Sequence, residues 1–114
     1  MIVDDHKGFR DWLGDTLAHR GHDCLYCHDG FSALTSWSHW GPSWVLLDLR
    51  MPGLDGLETL VALRRAGCTA QVAILTAHDD PESHRRALAS GAEAFFCKDS
   101  IPGLLARIEA TTTG

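Results

Sequence analysis

Apolar residues along this chain follow two patterns, one typical of buried strands and one typical of amphipathic helices. Short runs rich in apolar residues predict five strands. The most continuous of them, QVAIL, is typical of a parallel strand that is covered on both faces. The predicted strands are Met1–Val3, Asp23–His28, Trp44–Leu47, Gln71–Leu75 and Ala94–Cys97.

Between these runs, apolar residues recur every three or four positions, which predicts five helices. The first carries Phe9, Leu13 and Leu17 on one face, and the last carries its apolar residues from Ile101 to Ile108. The remaining stretches predicted as helical are 31–39, 54–66 and 81–90. Asp80 and Ser100 precede the last two helices as N-caps, and residues 111–114 are expected to be a frayed polar end or the start of a linker.

Alternating strands and helices predict an α/β fold, a three-layer sandwich around a five-stranded parallel sheet. Right-handed crossovers and short connections favour the flavodoxin-like strand order 2-1-3-4-5. At 114 residues the chain fits one domain, residues 1–114. The first strand is unusually short, so we expect reduced stability at that part of the sheet.

Composition excludes several classes of protein. The net charge of −5 disfavours a nucleic-acid-binding surface, which needs a basic patch. No apolar run approaches the roughly 20 residues of a membrane span. The scattered cysteines are best explained as reduced thiols of a cytoplasmic protein. Cys24 and Cys27 stand at an odd separation on a predicted strand, so their thiols should point to opposite faces rather than share a metal.

Polar residues fall where the predicted strands end. Asp4 and Asp5 follow the first strand, Asp48 the third, Thr76 the fourth and Lys98 the fifth. These ends share one edge of a parallel sheet, where open α/β sheets bind ligands. Three carboxylates so close would raise one another's pKa unless a cation lay among them, and Mg²⁺ prefers such oxygen ligands. Lysine and threonine beside them are typical of a phosphoryl site.

Each of these residues also has an ordinary structural explanation. The adjacent acids Asp4 and Asp5 suit a helix N-terminus, Asp48 suits a turn, and Phe95 suits a core. Their joint placement on one sheet edge is what favours a functional site.

The motifs DD at residues 4–5, LLDLRMPGLDG around Asp48, ILTA through Thr76 and Ala77, and GAEAFFCKD with Lys98 resemble the receiver domain of two-component response regulators. The resemblance covers essentially the whole chain. The opening DDHKGFRDWL and the Lys-Asp pair after the last strand are most similar to the LuxR-type (NarL/FixJ-like) subgroup, whose output domains are helix-turn-helix domains.

The resemblance implies a role for each residue of the site. Asp48 would accept a phosphoryl group from the phosphohistidine of a sensor histidine kinase, and Lys98 would pair with Asp48 and then with the phosphoryl oxygens. Mg²⁺ would be held by Asp5, Asp48 and the backbone carbonyl of Arg50, with Asp4 acting directly or through a water.

The resemblance also implies a switch. Thr76 would move to bind the phosphoryl group, Phe95 would rotate inward into the space that Thr76 leaves, and Ala77, being small, would leave the phosphoryl group room. The surface formed by the fourth helix, fifth strand and fifth helix would then control dimerisation or a DNA-binding output domain. No such output domain is recognisable in this sequence, so we expect a receiver cut from a longer regulator, or one that acts alone.

Two other functions stay open. One is a receiver-like interaction module that works without phosphorylation. The other is a Mg²⁺-dependent phosphatase with an aspartate nucleophile, which usually has a second aspartate two residues later, where this chain has Arg50. That difference favours a phosphoacceptor over an enzyme with turnover. The Arg50 side chain is expected to screen the phosphoryl group from water.

Overall fold

The computed structural model describes residues 1–77 and 80–112, with the side chain of residue 112 left aside. Strands and helices alternate along the chain as predicted. The strands are β1 (Ile2–Val3), β2 (Tyr26–Cys27), β3 (Trp44–Asp48), β4 (Gln71–Thr76) and β5 (Ala94–Cys97). The helices are α1 (Lys7–Ala18), α2 (Gly30–Trp40), α3 (Gly56–Arg65), α4 (Pro81–Ala89) and α5 (Ile101–Thr112).

The five strands form one parallel sheet in the order β2-β1-β3-β4-β5, which confirms the predicted topology. Side chains alternate across it because successive residues of a strand point to opposite faces. In β3, Val45 and Leu47 pack in the cluster that α2, α3 and α4 cover, and Trp44 and Leu46 pack in the cluster that α1 and α5 cover. The result is the predicted three-layer sandwich.

Strand β2 is much shorter than the predicted 23–28. It pairs only with β1, whose two residues lie opposite Tyr26 and Cys27, so the partner strand limits its length. Cys24 and Cys27 are free thiols that pack in different clusters, on opposite faces of the sheet.

The expected frayed end at residue 111 was wrong. Helix α5 continues through Thr112, and the hydroxyl of Thr111 accepts a hydrogen bond of 2.8 Å from the indole N–H of Trp44. Residues 113 and 114 lie outside the described residues. Among the described residues, no helix is both long and apolar enough to span a bilayer.

Candidate functional site

Three carboxylates meet at the carboxyl edge of the sheet. Asp4 and Asp5 follow β1, and Asp48 is the last residue of β3. Because Val3 lies opposite Leu47 in the β1–β3 ladder, Asp4 stands beside Asp48. One oxygen from each carboxylate lies within 4.8 Å of the others, an arrangement that could hold a metal ion.

Asp4 is the most firmly held of the three acids. Its side chain is buried, and its two oxygens accept hydrogen bonds of 2.8 Å from the backbone N–H of His6 and from the ammonium of Lys98. The Arg10 guanidinium donates to its backbone carbonyl at 2.8 Å. Asp5 is exposed and offers its carboxylate to solvent.

Lys98 follows β5 and brings the positive charge of the site. Its ammonium lies 2.8 Å from Asp4 and 3.4 Å from the nearer oxygen of Asp48. The sequence predicted pairing with Asp48; in the structure the ammonium is shared between both acids and is closer to Asp4. It also lies over the ring of Phe9, 4.4 Å from the centroid.

The environment of Asp48 disfavours its ionised form. Burial, together with the negative charge of Asp4, raises the pKa of Asp48 to about 6, and Lys98 offsets only part of this effect. Burial is the larger cause, whereas the sequence pointed to the neighbouring charges. A hard divalent cation among these oxygens would supply the charge that Lys98 alone does not.

The loop after Asp48 is closed by a contact that no sequence pattern indicates. The N–H of Gly56, the first residue of α3, donates to the carbonyl of Leu49 at 2.8 Å. A Cβ at Gly56 would lie 2.4 Å from the Asp48 carbonyl oxygen, so only glycine fits there. Asp55 and Glu58 cap α3 reciprocally through a capping box, which fixes the far end of the loop. The loop is thereby held against Asp48.

Thr76 and Phe95 lie on the neighbouring strands. Thr76 ends β4 and is buried, and its carbonyl accepts from the N–H of Lys98 at 2.7 Å. Ala77 follows it and is exposed. Phe95 is half-buried on β5, and its ring stacks on His84 of α4, a neighbour that no sequence pattern indicates.

Arg50 is exposed in the loop that follows Asp48. It lines a groove of about 620 Å³ between this loop and the start of α4, with Asp80 and Arg86 among the other lining residues. Hydrogen bonds from Ser83 and from the Glu82 backbone lower the pKa of Asp80, and the positive charge of Arg50 acts in the same direction. The Arg50 side chain therefore lies near the N-terminus of α4.

The parallel sheet, with acids at its carboxyl edge, has the flavodoxin-like fold. Residues 1–109 match the family described as "Response regulator receiver domain", and the chain belongs to that family. Receiver domains of this family take part in two-component signalling, interact with sensor kinases and bind Mg²⁺ at an acidic pocket. They are signalling proteins and generally not turnover enzymes.

Two curated relatives match nearly the whole of this chain. The nitrate/nitrite response regulator protein NarP of Escherichia coli is 38% identical over the whole of this chain and 53% of its own length. Response regulator MprA of Mycobacterium tuberculosis is 34% identical over 96% of this chain and 48% of its own. The chain thus spans about half the length of the curated relatives it matches.

Solved structures agree. The receiver domain of the response regulator NarL from Mycobacterium tuberculosis superposes with a TM-score of 0.81 at 36% identity, covering 87% of this chain and 82% of that one. A LuxR-family response regulator from Aurantimonas gives a TM-score of 0.88 at 29% identity, covering 97% and 81%. These matches confirm the resemblance to LuxR-type receivers.

Proposed function

We propose that this domain is a phosphoacceptor in which Asp48 takes a phosphoryl group from the phosphohistidine of a sensor histidine kinase. The observation that carries the proposal is the convergence of three acids within 4.8 Å with the Lys98 ammonium 3.4 Å from Asp48. These groups come from three separate strand ends. A chance cluster on a solvated surface would not bury Asp4, Asp48 and most of Lys98 together.

The residues present fit a Mg²⁺ ion. Asp5, Asp48 and the carbonyl of Arg50 would hold it, with Asp4 acting directly or through a water. Asp4 already binds Lys98 and the His6 N–H, which favours the indirect role. When bound, the ion supplies charge neutralisation for the phosphoryl oxygens.

In the transfer step, one oxygen of Asp48 attacks phosphorus. The P–O bond forms as the P–N bond to the kinase histidine breaks, and the electron pair of that bond returns to the imidazole. Lys98 then moves its charge from the carboxylate toward the phosphoryl oxygens, a short distance because it already contacts both acids. Catalysis here consists of positioning and charge neutralisation.

The output of the proposed switch is a change at the surface of α4, β5 and α5. The phosphoryl group adds roughly −1.5 to −2 charge. Thr76 turns to bind it, Phe95 rotates inward, and Ala77 leaves room for the group. The altered surface then controls formation of a homodimer or contact with a DNA-binding output domain. DNA is reached only through that output domain, and a cytoplasmic location stays a prediction.

One experiment separates the proposal from its alternatives. The chain is incubated with Mg²⁺ and acetyl phosphate, or with beryllofluoride, and analysed by intact mass and released phosphate. The phosphoacceptor function is supported if the chain forms an adduct that is lost in Asp48→Asn. The adduct should be retained in Thr35→Ala, a control at an exposed position. Sustained phosphate release instead indicates a phosphatase. A chain that neither forms an adduct nor releases phosphate indicates a phosphorylation-independent interaction module.

A further inference from the structure

Phe9 contacts the cation of the site without belonging to the acid–lysine set. Its ring centroid lies 4.4 Å from the Lys98 ammonium, while that ammonium is 2.8 Å from Asp4 and 3.4 Å from Asp48. Only 19% of the Lys98 side chain is exposed. The ammonium is therefore enclosed by two carboxylates on one side and by an aromatic face on another.

The position of the ring is fixed by its own helix. Phe9 lies in the first turn of α1, and its N–H donates to Nδ1 of the capping residue His6 at 3.0 Å. Its ring contacts that of Trp12 at 5.9 Å, tilted by 40°, and packs against the cluster beneath α1 and α5. The acids that follow β1 lead directly into this helix. The ring and the Asp4 and Asp5 carboxylates therefore belong to one short, continuous segment of the chain.

A ring suits this place better than an aliphatic side chain. An aliphatic group would exclude water from the ammonium and give nothing in return. The face of an aromatic ring attracts the cation without using its N–H donors. Those donors stay available for Asp4 and Asp48, and later for phosphoryl oxygens.

We propose that Phe9 is a positioning residue of the phosphoryl site, whose ring holds the Lys98 ammonium against Asp4 and Asp48 by a cation–π contact. The inference rests on the proposed function and deepens it. Without the ring, Lys98 would have to be ordered each time a phosphoryl group arrives. Phosphoryl binding and transfer would then weaken, although the acids and the metal site were intact.

A series of fluorinated phenylalanines at position 9 tests the contact. Each added fluorine draws electron density from the ring face while nearly preserving its shape. We expect beryllofluoride affinity at saturating Mg²⁺, and the initial rate with acetyl phosphate, to fall steadily along the series. The total loss should be about 2- to 30-fold, which corresponds to about 0.5–2 kcal/mol at 1.36 kcal/mol per tenfold.

The matched control is the same series at Phe96, which packs against the same cluster but has no cation over its ring among the described residues. It should leave affinity and rate unchanged. Phe9→Trp should retain affinity and Phe9→Leu should lose it. The proposal would be overturned if affinity and rate did not change along the Phe9 series, or if they fell equally along the Phe9 and Phe96 series.

A readout in the metal-free protein separates this inference from the proposed function. Ring current from Phe9 should shift the Cε protons of Lys98 upfield, and the mobility of that carbon should rise along the fluorine series. Phe9→Leu should abolish the shift. If the unsubstituted chain forms no Asp48-dependent adduct, the proposed function fails, and these NMR measurements still decide the Phe9 contact. An unshifted, equally mobile Lys98 in every variant rejects it.

Discussion

The imidazole of His84 lies nearly parallel to the phenyl ring of Phe95, with centroids 4.8 Å apart and planes 9° apart. The pair joins α4 to β5 across the surface that the proposed switch would alter. Inward rotation of Phe95 must break this stacking. If Phe95 rotates as proposed, His84 would stabilise the position of its ring before the switch.

Removing the imidazole should favour the switched state. Stacked aromatic pairs contribute about 0.5–1.5 kcal/mol, so His84→Ala should raise beryllofluoride affinity about 2- to 13-fold. His84→Phe, which keeps a ring, should bind as the unsubstituted chain does. Arg85→Ala, at the next exposed position of α4, is the control for helix effects. Equal affinity in His84→Ala and the unsubstituted chain would show that the stacking does not restrain Phe95.

The raised pKa of Asp48 predicts that the metal-free protein loses stability against unfolding as the pH rises. At a pH below 3.8, the ordinary pKa of an aspartate, the Asp48 carboxyl is neutral in both the folded and the unfolded chain. It then does not change the free energy of unfolding. As pH rises through about 6, the folded protein must ionise a group that is already ionised in the unfolded chain, and stability is lost. Asp48→Asn should therefore stabilise the fold at pH 7 by on the order of 1–3 kcal/mol.

Urea unfolding at several pH values measures this difference. The advantage of Asp48→Asn should shrink toward zero near pH 4 and level off above pH about 6. Saturating Mg²⁺ should reduce the advantage at neutral pH, because the cation favours the ionised carboxylate. A difference that is constant with pH would contradict the assigned shift.

Gly56→Ala should damage both the fold and the loop that follows Asp48. Its Cβ would lie 2.4 Å from the Asp48 carbonyl oxygen and 2.8 Å from the Leu49 Cα, and neither backbone atom can move aside freely. We expect a loss of about 2 kcal/mol or more in the free energy of unfolding. Gly103→Ala is a suitable control because its Cβ would meet only the Phe96 side chain, at 3.2 Å. Equal stabilities of the two variants would refute the argument.

Arg64 links loops at the opposite edge of the sheet. Its guanidinium donates to the carbonyls of Cys68, Ala70 and Gly91 and contacts the Glu93 carboxylate at 3.3 Å. Arg64→Met leaves these acceptors without their donor, and should cost about 1–3 kcal/mol in thermal or urea unfolding.

The neighbouring Arg65 is exposed, so Arg65→Met should change stability by no more than about 0.5 kcal/mol. Similar losses in both variants would mean that charge, rather than the hydrogen bonds of Arg64, is responsible.

Arg50→Ala tests the proposed shielding of the phosphoryl group. Without the guanidinium, water should reach the aspartyl phosphate more easily, and the aspartyl phosphate should be hydrolysed faster. Arg86→Ala removes an equal charge from the far side of the same groove and should leave the decay rate nearly unchanged. An unchanged decay rate in Arg50→Ala rejects the shielding role.

The sheet and the meeting of its polar ends could be predicted because both depend on local patterns. An apolar run followed at once by Asp48, or by Lys98, identifies a strand and the edge where it ends. Parallel pairing then brings those ends together. The same logic could not give the length of β2, which depends on how much of β1 is available to pair with it.

Contacts between side chains that are distant along the chain could not be predicted from the sequence. Phe9 read as one residue of an apolar helix stripe, and nothing in that stripe indicates a lysine on the last strand. His84 read as one of several surface histidines, and its partner Phe95 lies on another element. The tight approach of Gly56 to Asp48 also arises only once α3 packs at the end of β3. These contacts depend on tertiary geometry, and no periodicity encodes them.

The Lys98–Asp4 ion pair joins residues 94 positions apart, at the ends of the first and last strands. During synthesis, Asp48 leaves the ribosome well before the lysine that completes its site. A nascent chain, or one that has lost β5 from its sheet, thus carries Asp48 without the Lys98 charge that the proposed phosphoryl transfer requires. If Asp48 is the phosphoacceptor, competence to receive a signal would depend on completion of the sheet.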